Sequence, residues 1–131
     1  MADSMEIFTL HRYYMWANRM RTHFDELLGT DKDIEIQLYM SYWYGGLYVV
    51  IEGWQELKLK DPTIDNLLSS PNVELLRRYR NGVFHYQKNY FDDRLYGFMT
   101  RGEDCVNWVR TLNLEFGRYF LNWYEERRNT T

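Results

Sequence analysis

Val106, Val109, Leu112, Phe116, Phe120 and Trp123 recur at steps of three and four residues. On a helix of 3.6 residues per turn they share one face, and that face must be buried against something. Nothing in the 131 residues alternates apolar and polar side chains with a two-residue period over a useful length. A chain patterned in this way folds by packing helices on helices. At 131 residues it makes one domain with a core of its own.

The punctuation divides the chain into helices. Asp3 with Glu6 three residues on is a helix start, since each carboxylate can meet a free amide of the first turn. This first helix runs to Leu28 and stops at Gly29. A second spans about Asp33 to Lys60. Gly45-Gly46 in its middle costs about 1 kcal/mol per glycine relative to alanine, which implies close approach of another backbone, or a kink. Asp61-Pro62 caps and opens a short turn of helix, Thr63 to Leu68. Ser70-Pro71 opens a third long helix that fades between Tyr90 and Arg94, and Tyr96-Gly97-Phe98-Met99 is a loop. Thr100 with Glu103 caps the last helix. The expectation is an all-α protein, an antiparallel bundle of four long helices plus a short one, with residues 1–131 as a single domain.

Composition narrows the functional classes. Cys105 is the one cysteine, which excludes an intrachain disulfide and fits a reducing compartment. The formal net charge of −3 disfavours a grip on long stretches of nucleic acid, so any such contact must be local. The N-terminus lacks the basic-then-apolar order of a signal peptide. The longest uncharged run, Ile36 to Ile51, is short of the ~20 apolar residues of a membrane span. We therefore expect a cytoplasmic protein without membrane contact. His11 and His23 lack the i, i+4 spacing of metal ligands, and no Gly-rich phosphate loop is present, so neither metal nor cofactor is expected. Asp92-Asp93 and Glu125-Glu126 are ordinary exposed pairs. Tyr39, Tyr42, Trp43, Tyr44 and Tyr48 read as core plus interface.

Within the third long helix, Leu75, Leu76, Tyr79, Val83, Tyr86 and Tyr90 fall within an arc of roughly 100° on an ideal helix. Arg77, Arg78, Arg80, Asn81, Phe84, His85 and Lys88 fall on the other side. A guanidinium, an amide and an imidazole are thus presented together, away from the core. Histidine exchanges protons near neutral pH, at about 6.5 when unperturbed. Arginine stays charged and can hold a phosphate through two bonds.

This segment, Leu75-Leu76-Arg77-Arg78-Tyr79-Arg80-Asn81-Gly82-Val83-Phe84-His85, resembles the signature helix of the HEPN superfamily, in which an Arg directly followed by a polar residue precedes a His. The likeness is close over the motif and elsewhere extends only to the pattern of helices. It implies a metal-independent endoribonuclease that works as a homodimer, with the motif helices of two subunits facing across a cleft. His85 would handle the proton of the attacking ribose 2′-OH or of the leaving oxygen. Arg80 would hold the phosphate, and Asn81 would orient His85 or donate to a phosphate oxygen. The products would be a 2′,3′-cyclic phosphate and a 5′-hydroxyl. A role in defence, stress or toxin–antitoxin control goes with the family, as does a neutralising protein partner. Some toxins of the family carry a Tyr two residues after the His; here Tyr86 follows directly and Gln87 takes that place.

Each residue also has a plainer reading. Arg77, Arg78 and Lys88 form either an RNA-contacting patch or a solvated face. Phe84 serves a dimer interface or stacks on a base, the interface being preferred. Asn81 can hydrogen-bond His85 without any chemistry. Arg80 can pair with an acid on a neighbouring helix. Glu74 is poorly placed for that, and Glu52 either reaches Arg80 or faces solvent, the latter preferred. The alternative to the nuclease is a non-catalytic bundle of the same ancestry that binds RNA or a protein.

Overall fold

Asp3 starts the first helix as its spacing to Glu6 requires. Its carboxylate accepts the Glu6 N–H at 2.9 Å, and the Glu6 carboxylate accepts the Asp3 N–H at 3.0 Å. In the computed structural model, which describes residues 1–100 and 103–130, the order is α1 (Ser4–Leu27), α2 (Asp33–Glu56), α3 (Pro62–Leu68), α4 (Asn72–Phe84), α5 (Asp93–Met99) and α6 (Glu103–Thr130). Among the described residues there is no strand. Gly29 sits just past α1 with φ +85°, the left-handed conformation that glycine adopts without steric cost. Asp61 caps α3 through the Ile64 N–H, with Pro62 in its first turn.

Three boundaries differ from the sequence reading. α2 ends at Glu56, short of Lys60, because Lys58 turns into the left-handed region at φ 56°. The Leu59 N–H then donates back to the Trp54 carbonyl, and Leu59 packs on the core. No glycine marks this stop, so the sequence concealed it. α4 ends at Phe84 rather than near Tyr90, and residues 85–92 are not helical. There Gln87 donates to the His85 carbonyl, and the Asn89 and Asp92 side chains accept the N–H groups of Phe91 and Arg94. Such local bonds offer the backbone an alternative to helix. Tyr86 and Tyr90 consequently stand exposed, not on a core stripe. Finally, Tyr96–Met99 belongs to the helix α5, not to a loop. Burial of Phe98 against Tyr44 and Tyr79 outweighs the local cost of Gly97. The described residues therefore include two short helices, α3 and α5, where one was expected. The Thr100–Glu103 cap falls partly outside the described residues; Thr100 itself closes α5.

Centrally placed, α2 buries Trp43, Leu47, Val50, Ile51 and Trp54 almost completely. Against α1 the approach is close: a Cβ on Gly46 would lie 3.1 Å from that of Ala17. One of the paired glycines thus admits the neighbouring helix. α6 presents Cys105, Trp108, Val109, Leu112, Phe116 and Phe120 inward, while Val106 is exposed and Trp123 half-buried. The expected face is thus rotated slightly at its start. Residue pairs His11–Tyr124, Asn18–Asn113 and Asp25–Arg110 show α1 and α6 running in opposite directions.

A core this rich in Trp and Tyr needs partners for its polar tips. Trp43 donates to Asn113, Trp54 to Asp65 and Trp108 to the Leu67 carbonyl, at 3.1, 3.1 and 2.9 Å. The Tyr79 hydroxyl lies 3.1 Å from Ser41 Oγ. Burial pushes the Tyr44 hydroxyl up to about 12. Among the described residues no helix is long and apolar enough to cross a membrane.

His11 gives the fold a pH dependence. Its Nδ1 lies 3.2 Å from the Tyr124 hydroxyl, and its ring packs against Tyr14 and Phe120. Burial lowers its pKa from 6.5, so the folded state prefers the neutral ring. The stabilisation is complete above the unfolded value and is lost as pH falls through 6.5 towards the lower folded value. Thermal midpoints should decline over that window. In His11→Gln the slope should flatten; an unchanged slope would mean that another group governs it.

Candidate functional site

Arg80 leaves the outer face of α4 and turns towards α2. Its Nη1 donates to Glu52 Oε1 at 2.8 Å, its Nε to Asn81 Oδ1 at 3.1 Å, and the guanidinium lies 4.8 Å from the centroid of the Tyr48 ring. Tyr48 and Glu52 are one turn apart on α2, so they offer a ring and a carboxylate on one face. Glu52 meets both readings: it pairs with Arg80 and its side chain stays about half exposed, at 47%. Glu74, as expected, is not that acid; it takes Arg77 instead, with Nε 2.9 Å from its carboxylate. Arg77 holds the Glu74 carboxyl below its usual range. Burial raises the Tyr48 hydroxyl, and the neighbouring Glu52 carboxylate adds to the shift.

Asn81 serves the guanidinium, not the imidazole. Its amide oxygen accepts from Arg80, while only its backbone carbonyl meets His85, through the His85 N–H at 3.0 Å. His85 is the residue at which α4 ends, extended at φ −123° and ψ 126°. The helical placement expected for it is therefore corrected. Among the described residues no hydrogen bond or ion pair reaches its exposed ring. Arg80 and Asn81 thus lie on the last turns of the helix and His85 on the segment beyond it.

Phe84 lies over α2. A Cβ on Gly45 would come within 2.6 Å of its ring, and the Tyr42 ring is 5.8 Å away. The second of the paired glycines therefore makes room for this aromatic. Phe84 remains 49% exposed and, with Trp16, Tyr42 and Tyr13, lines a nearly apolar groove of about 350 Å³ between α1 and α2. A second groove of about 550 Å³ begins at Glu52 and is lined by four carboxylates, Asp3, Glu6, Glu52 and Glu56. Four carboxylates there would repel a phosphate group. Arg78 and Lys88 are exposed, Lys88 on the segment past the helix rather than on its face.

Sequence reasoning missed Tyr48, the ring beneath the guanidinium. Its one signal was the four-residue step to Glu52, visible only once Glu52 is known to face Arg80. Comparison with family models, curated proteins and solved structures gives no match.

Proposed function

We propose that this chain is a HEPN-type, metal-independent endoribonuclease of the cytoplasm, an antiparallel bundle whose cleft is completed by a second copy. The observation that supports it is the posture of Arg80. Glu52, Asn81 and Tyr48 hold the guanidinium in place, no described residue claims its Nη2 donors, and its side chain keeps 22% exposure. A pre-positioned guanidinium of this kind suits a phosphate whose charge grows in the transition state. The imidazole one residue past the helix would draw the proton from a ribose 2′-OH. The 2′ oxygen then bonds to phosphorus, and the bond to the 5′ oxygen breaks. The imidazole of the second copy would protonate that leaving oxygen, giving a 2′,3′-cyclic phosphate and a 5′-hydroxyl. The apolar strip formed by Trp16, Tyr42 and Phe84 offers the second copy a seat beside Arg80. Arg78 and Lys88 would steer the RNA, and a neutralising protein would act by covering this strip.

A non-catalytic reading is favoured by one observation: Glu52 already compensates Arg80, and the His85 ring is not joined to Asn81. Incubation of the purified chain with total RNA in excess EDTA separates the two. The nuclease produces fragments with 2′,3′-cyclic phosphate ends, and His85→Ala lowers their rate at least about 100-fold. Intact RNA, or fragments at the same rate from the variant, would overturn the catalytic assignment.

A further inference from the structure

On the α1–α6 face lies a groove of about 430 Å³ lined by Tyr14, Asn18, Arg21, Arg110, Asn113 and Leu114, away from the Arg80 site. Its hydrogen bonds leave only one orientation for each amide. Trp43 Nε1 can only donate, so the Asn113 oxygen must face it, at 3.1 Å. The Asn113 amino group then donates to Asn18 Oδ1 at 3.0 Å. Arg21 Nε, also a pure donor, meets that same oxygen at 2.8 Å. Asn18 is thus fixed with its oxygen inward, and its amino group has no acceptor among the described residues.

The charges follow the same pattern. Asp25 accepts Arg21 at 2.6 Å through one oxygen and Arg110 at 2.7 Å through the other. Two guanidinium groups face one carboxylate, an excess of one positive charge. Arg110 first, and then Arg21, hold the Asp25 carboxyl below its ordinary range, so this balance persists through neutral pH. The Tyr14 hydroxyl reaches over Gly117, where a Cβ would lie 2.5 Å from it; burial raises its pKa and the Arg21 charge offsets part of that rise. The amide and carboxylate oxygens of the network are engaged: Asn18 Oδ1, Asn113 Oδ1 and both Asp25 oxygens. What remains towards the groove is the Asn18 amino group, which can only donate, and the Tyr14 hydroxyl, which can donate as well as accept, beside net positive charge.

We propose that this groove is a binding site for a small phosphate monoester. The phosphate oxygens would accept from Asn18 Nδ2, the Tyr14 hydroxyl and the arginine edges, with the carbon skeleton along Leu114 at the rim. A surplus of donors with positive charge selects an acceptor-rich anion over a cation or a neutral donor. The site is independent of Arg80 and His85, so its fate does not decide the nuclease reading.

The probes are ribose 5-phosphate, inorganic phosphate and, as the uncharged control, ribose, each titrated into the full chain at low salt. The readout is the side-chain amide and arginine Nε–H signals of the 1H–15N spectrum. Ribose 5-phosphate should shift Asn113 and Arg110 saturably, with a Kd of about 1 mM or below, while ribose does not. Saturation by inorganic phosphate as well supports the same pocket and assigns recognition to the anion alone. Asn18→Asp keeps the acceptor that Arg21 and Asn113 need but removes the donor and adds a negative charge. Leu114→Glu, at an exposed position, sets a carboxylate at the rim. Each should weaken binding about tenfold or more while the remaining spectrum stays folded. Absence of a saturable shift, or equal affinity in both variants, would overturn the proposal.

Discussion

Trp54→Ala should cost about 3–5 kcal/mol, a large part of the 5–15 kcal/mol that keeps a domain of this size folded. The indole is 1% exposed, with ring centroids 4.7 Å from Tyr119 and 5.7 Å from Phe116. Its N–H also ties α2 to Asp65 at the start of α3. Truncation therefore opens a cavity between α2 and α6 and removes the bond that orients α3. Trp54→Phe keeps most of the volume but drops the donor, and about 1–2 kcal/mol should be lost. Urea denaturation checks both through the midpoint at constant slope. A loss below about 1 kcal/mol in the alanine variant would contradict the central place of α2.

Arg80→Ala should have the opposite signature, a small structural effect and a large chemical one. Its partner Glu52 is about half exposed, so the ion pair contributes at most about 1 kcal/mol, and the contact over Tyr48 adds a similar amount. On the proposed ribonuclease reading, cleavage of RNA should by contrast fall by about 100-fold or more, the usual result of removing a group that meets transition-state charge. Arg80→Lys retains the charge, yet an ammonium cannot span Asn81 and Glu52 as the planar fork does, so the rate should fall between the two. Rates are to be compared at temperatures where each variant is fully folded. A rate loss that merely tracks the unfolded fraction would mark Arg80 as a structural residue.

Where side-chain chemistry acts within a few residues, the sequence was legible. The Asp3–Glu6 box, Gly29 and Asp61-Pro62 each set a helix boundary through contacts three residues or fewer away, and all three formed. Of the misread boundaries, the end of α2 lies in a local turn at Lys58, whereas α5 and the end of α4 also depend on partners distant in the chain. Phe98 turns Tyr96–Met99 into helix because Tyr44 and Tyr79 receive its ring. The end of α4 is likewise tied to packing: a Cβ on Gly82 would lie 2.9 Å from that of Arg94 and 3.1 Å from the Leu95 side chain. α5 can press on α4 that closely only if the chain leaves the helix first and doubles back. A helical wheel drawn through Tyr90 has no access to that contact. At the site, the wheel correctly separated Arg80 and Asn81 from the buried Leu76 and Tyr79. It could not choose between solvent and Arg80 for Glu52, because that depends on how α2 and α4 are set against each other.

Ending α4 at Phe84 divides the Arg-Asn-His segment mechanically. The guanidinium stands on a helix clamped by the core, whereas the imidazole stands on the first residue of a non-helical segment, 85–92, that is held by its own side-chain bonds. Changes in that segment alter the surroundings of His85 and leave the helix that carries Arg80 in place. Substitution there can therefore vary one half of the Arg-Asn-His segment without disturbing the scaffold that anchors the arginine.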